Sequence, residues 1–213
     1  ETPVQQLDPG KGKTQRAYLW AYRSNDLDDG PPLVVFDYQS SRSGKHAAAF
    51  LEGWRGTLMV DDYSGYKALF AAGLAEQACW AHARRNFFDL DKGTPQGHPI
   101  AAEVLSRIAR LYEIEAQGKG KSQQARKALR EQAAMPELER LHERLSEIRQ
   151  KAAPGYGLAK ACDYILRRWS SFSRYAQTGE LPIDNNPVEN AIRPIALGKK
   201  NWLFAGSERA GRR

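Results

Sequence analysis

Two carboxylates stand where this chain could do chemistry. Glu189 lies in the run Leu181-Pro182-Ile183-Asp184-Asn185-Asn186-Pro187-Val188-Glu189-Asn190-Ala191-Ile192-Arg193-Pro194. With Asn186 as N-cap, Pro187 as first helical residue and Glu189 third, this reads as the start of a helix. A capping box alone would explain that spacing, because the glutamate can reach back to the cap. The residues behind it ask for more. Arg193 faces the glutamate one turn on, and Lys199, Lys200, Trp202, Phe204, Arg209, Arg212 and Arg213 follow. A carboxylate at a helix start, beside paired asparagines and facing so many cations, fits a metal and phosphate site. Pro194 is expected to stop or kink this helix after about two turns. Asp61 is the second carboxylate. With Asp62 it closes the apolar run Thr57-Leu58-Met59-Val60, and carboxyl ends of strands are where α/β sheets place their sites. Asp62 suits an N-cap for a helix from Tyr63, which leaves Asp61 as the site candidate. A sparse set of carboxylates, completed by water and phosphate oxygens, is how hard divalent ions such as Mg²⁺ are held.

A second dense cluster is Cys79-Trp80-Ala81-His82-Ala83-Arg84-Arg85-Asn86-Phe87-Phe88. Cys79 and His82 make at most half a zinc site, since no second pair follows at ligand spacing and His142 and Cys162 stand alone. Cys79 reads instead as a small buried residue, with His82, Arg84 and Arg85 facing a phosphate or a carboxylate. On a purely structural reading the cluster is a solvated helix face with Phe87 and Phe88 in the core. Lys119 with Lys121, Arg126-Lys127 with Arg130, and Arg167-Arg168 read mostly as solvated helix faces. Gly10-Lys11-Gly12-Lys13 lacks the spacing of a phosphate loop, and no serine sits in a nucleophile elbow.

These groups need a scaffold. The 213 residues are 41% hydrophobic, enough for one substantial core or at most two small ones. A net charge of +7 favours a polyanionic partner. Two cysteines suggest a reducing compartment rather than a disulfide framework, and no apolar run reaches membrane-spanning length. With Glu1 first and Arg212-Arg213 last, the chain reads as a piece of a longer protein.

Val4 to Leu7, Ala17 to Tyr22 and Leu33 to Tyr38 are predicted strands, the last with buried character. The turn Asp8-Pro9-Gly10-Lys11-Gly12-Lys13 and the polar stretch 24–32 join them into an antiparallel meander. Helices are predicted over 43–54, 63–72 and 81–90, and strands over 57–60 and 77–80. That order implies a mixed sheet flanked by helices. From 99 to 178 the pattern is almost all helical, with stripes such as Val104, Ile108, Leu111 and Leu138, Leu141, Leu145. A third helical stretch runs from 158 to 175.

Several of these motifs together resemble the catalytic domain of a DDE transposase of the bacterial insertion-sequence 66 family. They are Glu1-Thr2-Pro3-Val4, Val60-Asp61-Asp62-Tyr63-Ser64-Gly65-Tyr66, Cys79 through Arg85, Asp184 through Glu189, and Lys199-Lys200-Asn201-Trp202-Leu203-Phe204. They run in family order over nearly the whole chain. The resemblance implies an α/β, RNase H-like fold: a core of residues 1–90, a helical insertion over 91–180, and a last acidic helix and basic tail over 181–213. It implies Mg²⁺-dependent strand cleavage and strand transfer, with Mn²⁺ as a substitute. Asp61 and Glu189 would be catalytic carboxylates and metal ligands. His82, Arg84, Arg85, Arg193, Lys199 and Lys200 would contact DNA. The family's first aspartate stands just before its Glu-Thr-Pro motif, so the chain as it stands is expected to hold an incomplete site and to be inactive alone. Asp8 belongs to a Pro-Gly turn and is not given that role. The implied partners are insertion ends and target DNA, with a homo-oligomer assembled on them, in the bacterial cytoplasm at the nucleoid. The alternatives are an RNase H-like nuclease or resolvase, and a DNA-binding remnant without chemistry.

Overall fold

Tyr18, Trp20 and Tyr22, then Val34, Val35, Phe36 and Tyr38, favour extended backbone in the first strands, and the computed structural model describes residues 1–8, 10–27 and 30–212. Strands β1 (Thr2–Asp8), β2 (Lys13–Arg23) and β3 (Val34–Gln39) form an antiparallel sheet in the order β1-β2-β3. Val4 lies opposite Ala17, and Trp20 opposite Asp37. Lys11 N–H closes the first turn on the Asp8 carbonyl at 3.1 Å. Pro9 in that turn, Asp28 and Asp29 in the next loop, and the terminal Arg213 lie outside the described residues. The expected burial of β3 is corrected: Val34, Val35 and Phe36 are exposed, and of its residues only Tyr38 is buried. β3 is the edge of this sheet, so it has a neighbour on one side alone.

Helix α1 (Gly44–Phe50) is capped by the Ser43 hydroxyl. Strand β4 (Thr57–Val60) ends at Asp61, and a 3₁₀ turn at Ser64–Tyr66 leads into the short α2 (Lys67–Ala71). Gly44 has to be glycine, because a Cβ there would stand 2.0 Å from the Gly65 carbonyl oxygen. That close approach seats α1 on the turn that follows Asp61. Strand β5 (Ala75–Ala78) pairs with β4 in parallel, with Val60 opposite Ala78. The five strands therefore form two ladders, one antiparallel and one parallel, where a single mixed sheet was expected. A physical reason lies at the free edge of β1. Ala205 occupies it, exchanging backbone bonds with Gln5 and Leu7 at 2.7 and 2.8 Å, and Pro3 has no N–H to offer there.

Helix α3 (Trp80–Lys92) opens the helical part. It is followed by α4 (Pro99–Gln117), α5 (Gln123–Leu129), a π-helical turn over Arg130–Ala134 and α6 (Met135–Lys151). The third predicted helix breaks at Arg167 and Arg168 into α7 (Gly157–Leu166) and α8 (Trp169–Ser173), before a 3₁₀ turn at Arg174–Gln177. Helix α9 (Asn186–Trp202) and the short α10 (Glu208–Gly211) complete the chain. Of the stop or kink expected at Pro194, the stop does not occur, and α9 runs through it. One missing N–H bends or weakens a helix without ending it where its other turns keep their bonds.

The largest core packs Val104, Ile108, Leu111, Leu138 and Leu145 with Trp80, Ala83 and Phe87 of α3 and with Ile183. The helical stretch is thus continuous with the helix that follows β5 and does not float on a linker. Arg130, 1% exposed, grips Glu115 through two bonds of 2.8 and 2.6 Å and donates to the carbonyls of Tyr175 and Thr178. Arg168 pairs with Glu76 at 2.6 Å and Asp62 at 3.2 Å. Both arginines were expected on solvated faces, and both instead tie elements together. No helix among the described residues is long and apolar enough to cross a membrane.

Candidate active site

The parallel register sets the site. Val60 pairs with Ala78, so Asp61 and Cys79 leave the two strands side by side at their carboxyl ends. Asp61 is half-buried, and its Oδ1 accepts the Tyr63 N–H at 3.0 Å. Its carbonyl accepts the Tyr164 hydroxyl at 2.6 Å. The capping bond expected of Asp62 is therefore made by Asp61. Asp61 makes the local turn bond, while Asp62, with φ of 96°, points toward Arg168. Short polar side chains tolerate that left-handed backbone best after glycine.

From Cys79 the contacts lead to the acidic helix. The Cys79 thiol donates to Asn185 Oδ1 at 2.9 Å and accepts the Asn185 N–H at 3.4 Å. Burial, offset in part by these bonds, pushes the thiol up to about 11, so it stays protonated as a donor. Asn185 Nδ2 is 3.5 Å from Glu189 Oε1. Trp80 N–H also holds the Ile183 carbonyl at 3.2 Å. Cys79 and Trp80 thus tie the end of β5, the neighbour of β4, to the start of α9.

The cap of α9 is not the expected one. Asp184, 8% exposed, accepts the Asn186 N–H at 3.0 Å, Asn186 Nδ2 at 2.8 Å and the Tyr112 hydroxyl at 2.8 Å. Asn186 is the first helical residue and Asn185 makes no capping bond to the backbone. Burial first, then the Asp184 carboxylate, holds the Tyr112 proton on well above the ordinary phenol range.

Glu189 is exposed and lines a cleft of about 280 Å³ with His82, Arg85, Asn190 and Arg193. His82 Nδ1 is buried there without a hydrogen-bond partner among the described residues. Arg84 stands one step outward, its guanidinium 5.8 Å from the Phe88 ring centre. Contrary to a core position, Phe88 is 42% exposed, while Phe87 is fully buried. The structure does not bring every expected DNA contact to the cleft. Lys199 Nζ donates to Thr2 Oγ1 and the Pro3 carbonyl, both at 3.1 Å, and so pins β1 to α9. Lys200 is exposed two turns beyond Arg193.

Sequence reasoning named no role for Tyr112, Tyr164, Asp184 or Asn190. Asp184 had a visible signal, a carboxylate two residues ahead of the first helical position. The tyrosines had none, because each reaches the site from a distant helix. Among the described residues, no three His, Cys, Asp or Glu side chains gather as a group that could hold a metal ion.

A cleft that sets a carboxylate beside two arginines offers charge to an anionic ligand. The whole chain, residues 1–213, matches the family described as Transposase IS66 family, and it belongs to that family. Three relatives in Sinorhizobium fredii (strain NBRC 101917 / NGR234) are similar along its whole length, each bearing the name of an uncharacterized protein. The relative y4qI is 36% identical over 100% of this chain and 41% of its own length. The figures for y4jD are 34%, 99% and 43%. The chain therefore spans about two fifths of the length of the curated relatives it matches. No solved structure gives a significant match.

Proposed function

We propose that this chain is the catalytic part of a transposase that cuts the ends of an insertion sequence and joins them to target DNA. The observation that carries the reading is the cleft holding Glu189 with His82, Arg85 and Arg193, tied through Asn185 and Cys79 to the end of β5, which pairs with β4. Three antiparallel strands, a parallel pair followed by helices, and a closing acidic helix support an RNase H-like arrangement. Residues 1–90 and 181–213 would form that core, and 91–180 an inserted helical block that shares its hydrophobic interior.

Asp61 and Glu189 fit Mg²⁺, or Mn²⁺ in its place, in kind: both offer hard carboxylate oxygens. Their number falls short, since no third ligand joins them among the described residues. Glu1 and Asp61 both act on Arg42 and on Tyr66, so β1 begins at the same end as Asp61. When bound, the ion supplies charge neutralisation at the phosphate and lowers the cost of deprotonating the attacking hydroxyl. The chain's own residues do the rest. Arg85 and Arg193 bind the phosphate oxygens and orient the strand. Exposed Lys200 extends the track, and two DNA ends held together call for two copies of the protein.

In the full-length protein, Asp61→Asn and Glu189→Gln should each abolish joining of insertion ends to target DNA while DNA binding persists. Joining at the unaltered rate by either variant overturns the role assignment. One competing reading is a DNA-binding module without chemistry. Mg²⁺-dependent cleavage by the full-length protein removes that reading, and cleavage of branched DNA without joining would make it a resolvase or nuclease instead.

A further inference from the structure

Beside the cleft lies a larger hollow of about 750 Å³ between α3 and α4, lined by Arg84, Arg85, Phe88, Ala109, Tyr112 and Asn186, among others. Arg85 and Asn186 line both hollows, so the two are contiguous. Three features of the larger one stand out. Phe88 leaves 42% of its surface to solvent beside Phe87, which is fully buried, so the core does not use its ring. The Arg84 guanidinium and Lys92 Nζ lie over that exposed ring, 5.8 and 6.0 Å from its centre, so cations border whatever packs on it. Arg84 and Arg85 have no carboxylate partner among the described residues, whereas Arg107, Arg110, Arg140, Arg144 and Arg149 of the helical block are all paired.

The other polar groups of this hollow are already engaged. The Tyr112 hydroxyl and the Asn186 amide serve Asp184, and Glu113 pairs with Arg110 at 2.8 Å. What remains is an apolar and aromatic wall with two free guanidinium groups. That combination suits a flat ring carrying an anion. The volume is within the range of about 300–1,000 Å³ that holds one small ligand, far short of what a duplex fills.

The geometry points to a pocket for a single unstacked nucleotide. Its base would lie on Phe88, and its phosphate would meet Arg84 and Arg85 at the mouth of the Glu189 cleft. A DNA strand whose phosphate sits in the cleft would then turn its next base out of the helix and into the pocket. Unstacking a base costs a few kcal/mol, least in a frayed or single strand, so the pocket selects open DNA ends over intact duplex. The inference rests on the reading of the cleft as a DNA site. Its test is a binding measurement, so loss of strand transfer and failure of the pocket are separately visible.

The probes are a fluorescently labelled single-stranded DNA decamer and the duplex of the same sequence, titrated against the protein at fixed salt. Phe88→Ala is expected to weaken single-strand binding by about fivefold or more, the lower end for loss of one base stack. Duplex binding should stay within about twofold. Phe88→Trp, which keeps a ring, should restore the single-strand affinity. Arg84→Ala should weaken both probes and lower the salt slope by about one phosphate contact. The pocket is refuted if Phe88→Ala leaves single-strand binding within twofold of the unaltered protein. It is equally refuted if both probes weaken together and Phe88→Trp fails to restore them, the mark of a ring that only supports the fold.

Discussion

Asp184 gives the sharpest test of how the acidic helix is held. Replacing it by alanine removes one carboxylate and three hydrogen bonds, from the Asn186 N–H, the Asn186 amide and the Tyr112 hydroxyl. Bonds to a charged acceptor contribute about 1.5–3 kcal/mol each when measured singly. They do not add here, because one buried carboxylate accepts all three and its own desolvation is removed with it. The lost cap accounts for about 1 kcal/mol. The stranded Tyr112 hydroxyl, held in surroundings that already resist its ionisation, adds about 1–2 kcal/mol. A total of about 2–3 kcal/mol follows, equivalent to roughly 4–12 °C in melting temperature for a chain of this size. Asp184→Asn keeps an acceptor oxygen for the Asn186 N–H and should lose about half as much.

The assay is denaturant unfolding of a double-mutant cycle. Tyr112→Phe alone should cost about 1–2 kcal/mol, and in the Asp184→Ala background it should cost almost nothing, because the bond is already gone. A coupling near zero would mean that the 2.8 Å contact contributes nothing and that Asp184 acts through its cap alone. An Asp184→Ala variant within about 1 kcal/mol of the parent, at unchanged m-value, would refute the whole account.

Two further predictions concern the helical block. Arg130→Met should destabilise the protein by about 3 kcal/mol, since it leaves Glu115 and the Tyr175 and Thr178 carbonyls without their donor. Adding Glu115→Gln should recover part of that loss in calorimetry, and a fully additive double variant would contradict a coupled pair. Hydrogen bonds from Arg144, then Arg107, hold the Glu103 carboxyl below its ordinary value. A depressed carboxylate stabilises the fold above the ordinary value and loses that contribution as pH falls through the lowered one. The gap in stability between the unaltered protein and Glu103→Gln, below about 1 kcal/mol at pH 7 for so exposed a group, should therefore close as pH is lowered. Melting temperatures measured from pH 7 down to pH 3 check this, and a constant gap would count against it.

What the sequence disclosed is local. β4 and the meander follow from alternation and turn residues, and α4 and α6 follow from stripes at helical spacing. Both candidate carboxylates were visible because a strand end and a proline-led helix start are written in neighbouring residues. The errors fall where a distant element decides. Phe88 and Phe87 look alike in sequence, but only Phe87 faces the interior that α4 and α7 close. Arg168 looked solvated because Glu76 and Asp62 reach it only in three dimensions. Lys199 read as one of a basic run, yet its ammonium meets Thr2 at the other end of the chain. Pro194 failed as a stop because propensity is a local penalty that the rest of a 17-residue helix outweighs.

The same distinction explains why so long a helical block stands between the two carboxylates. Two tyrosines of that block reach the site from its far side. Tyr164 on α7 holds the Asp61 carbonyl at 2.6 Å, and Tyr112 on α4 holds Asp184 at 2.8 Å, five residues before Glu189. α4 and α7 are themselves fixed, through Val104, Ile108, Leu111 and Ile165 in the shared core, against α3, which leaves β5 directly after Cys79. Close-packed interiors transmit displacement instead of absorbing it. The spacing between the strand tip and the start of the acidic helix is therefore set by two hydroxyls anchored in one rigid interior, as well as by the thiol of Cys79 between them. A loop of the same length could span the gap but could not fix the distance.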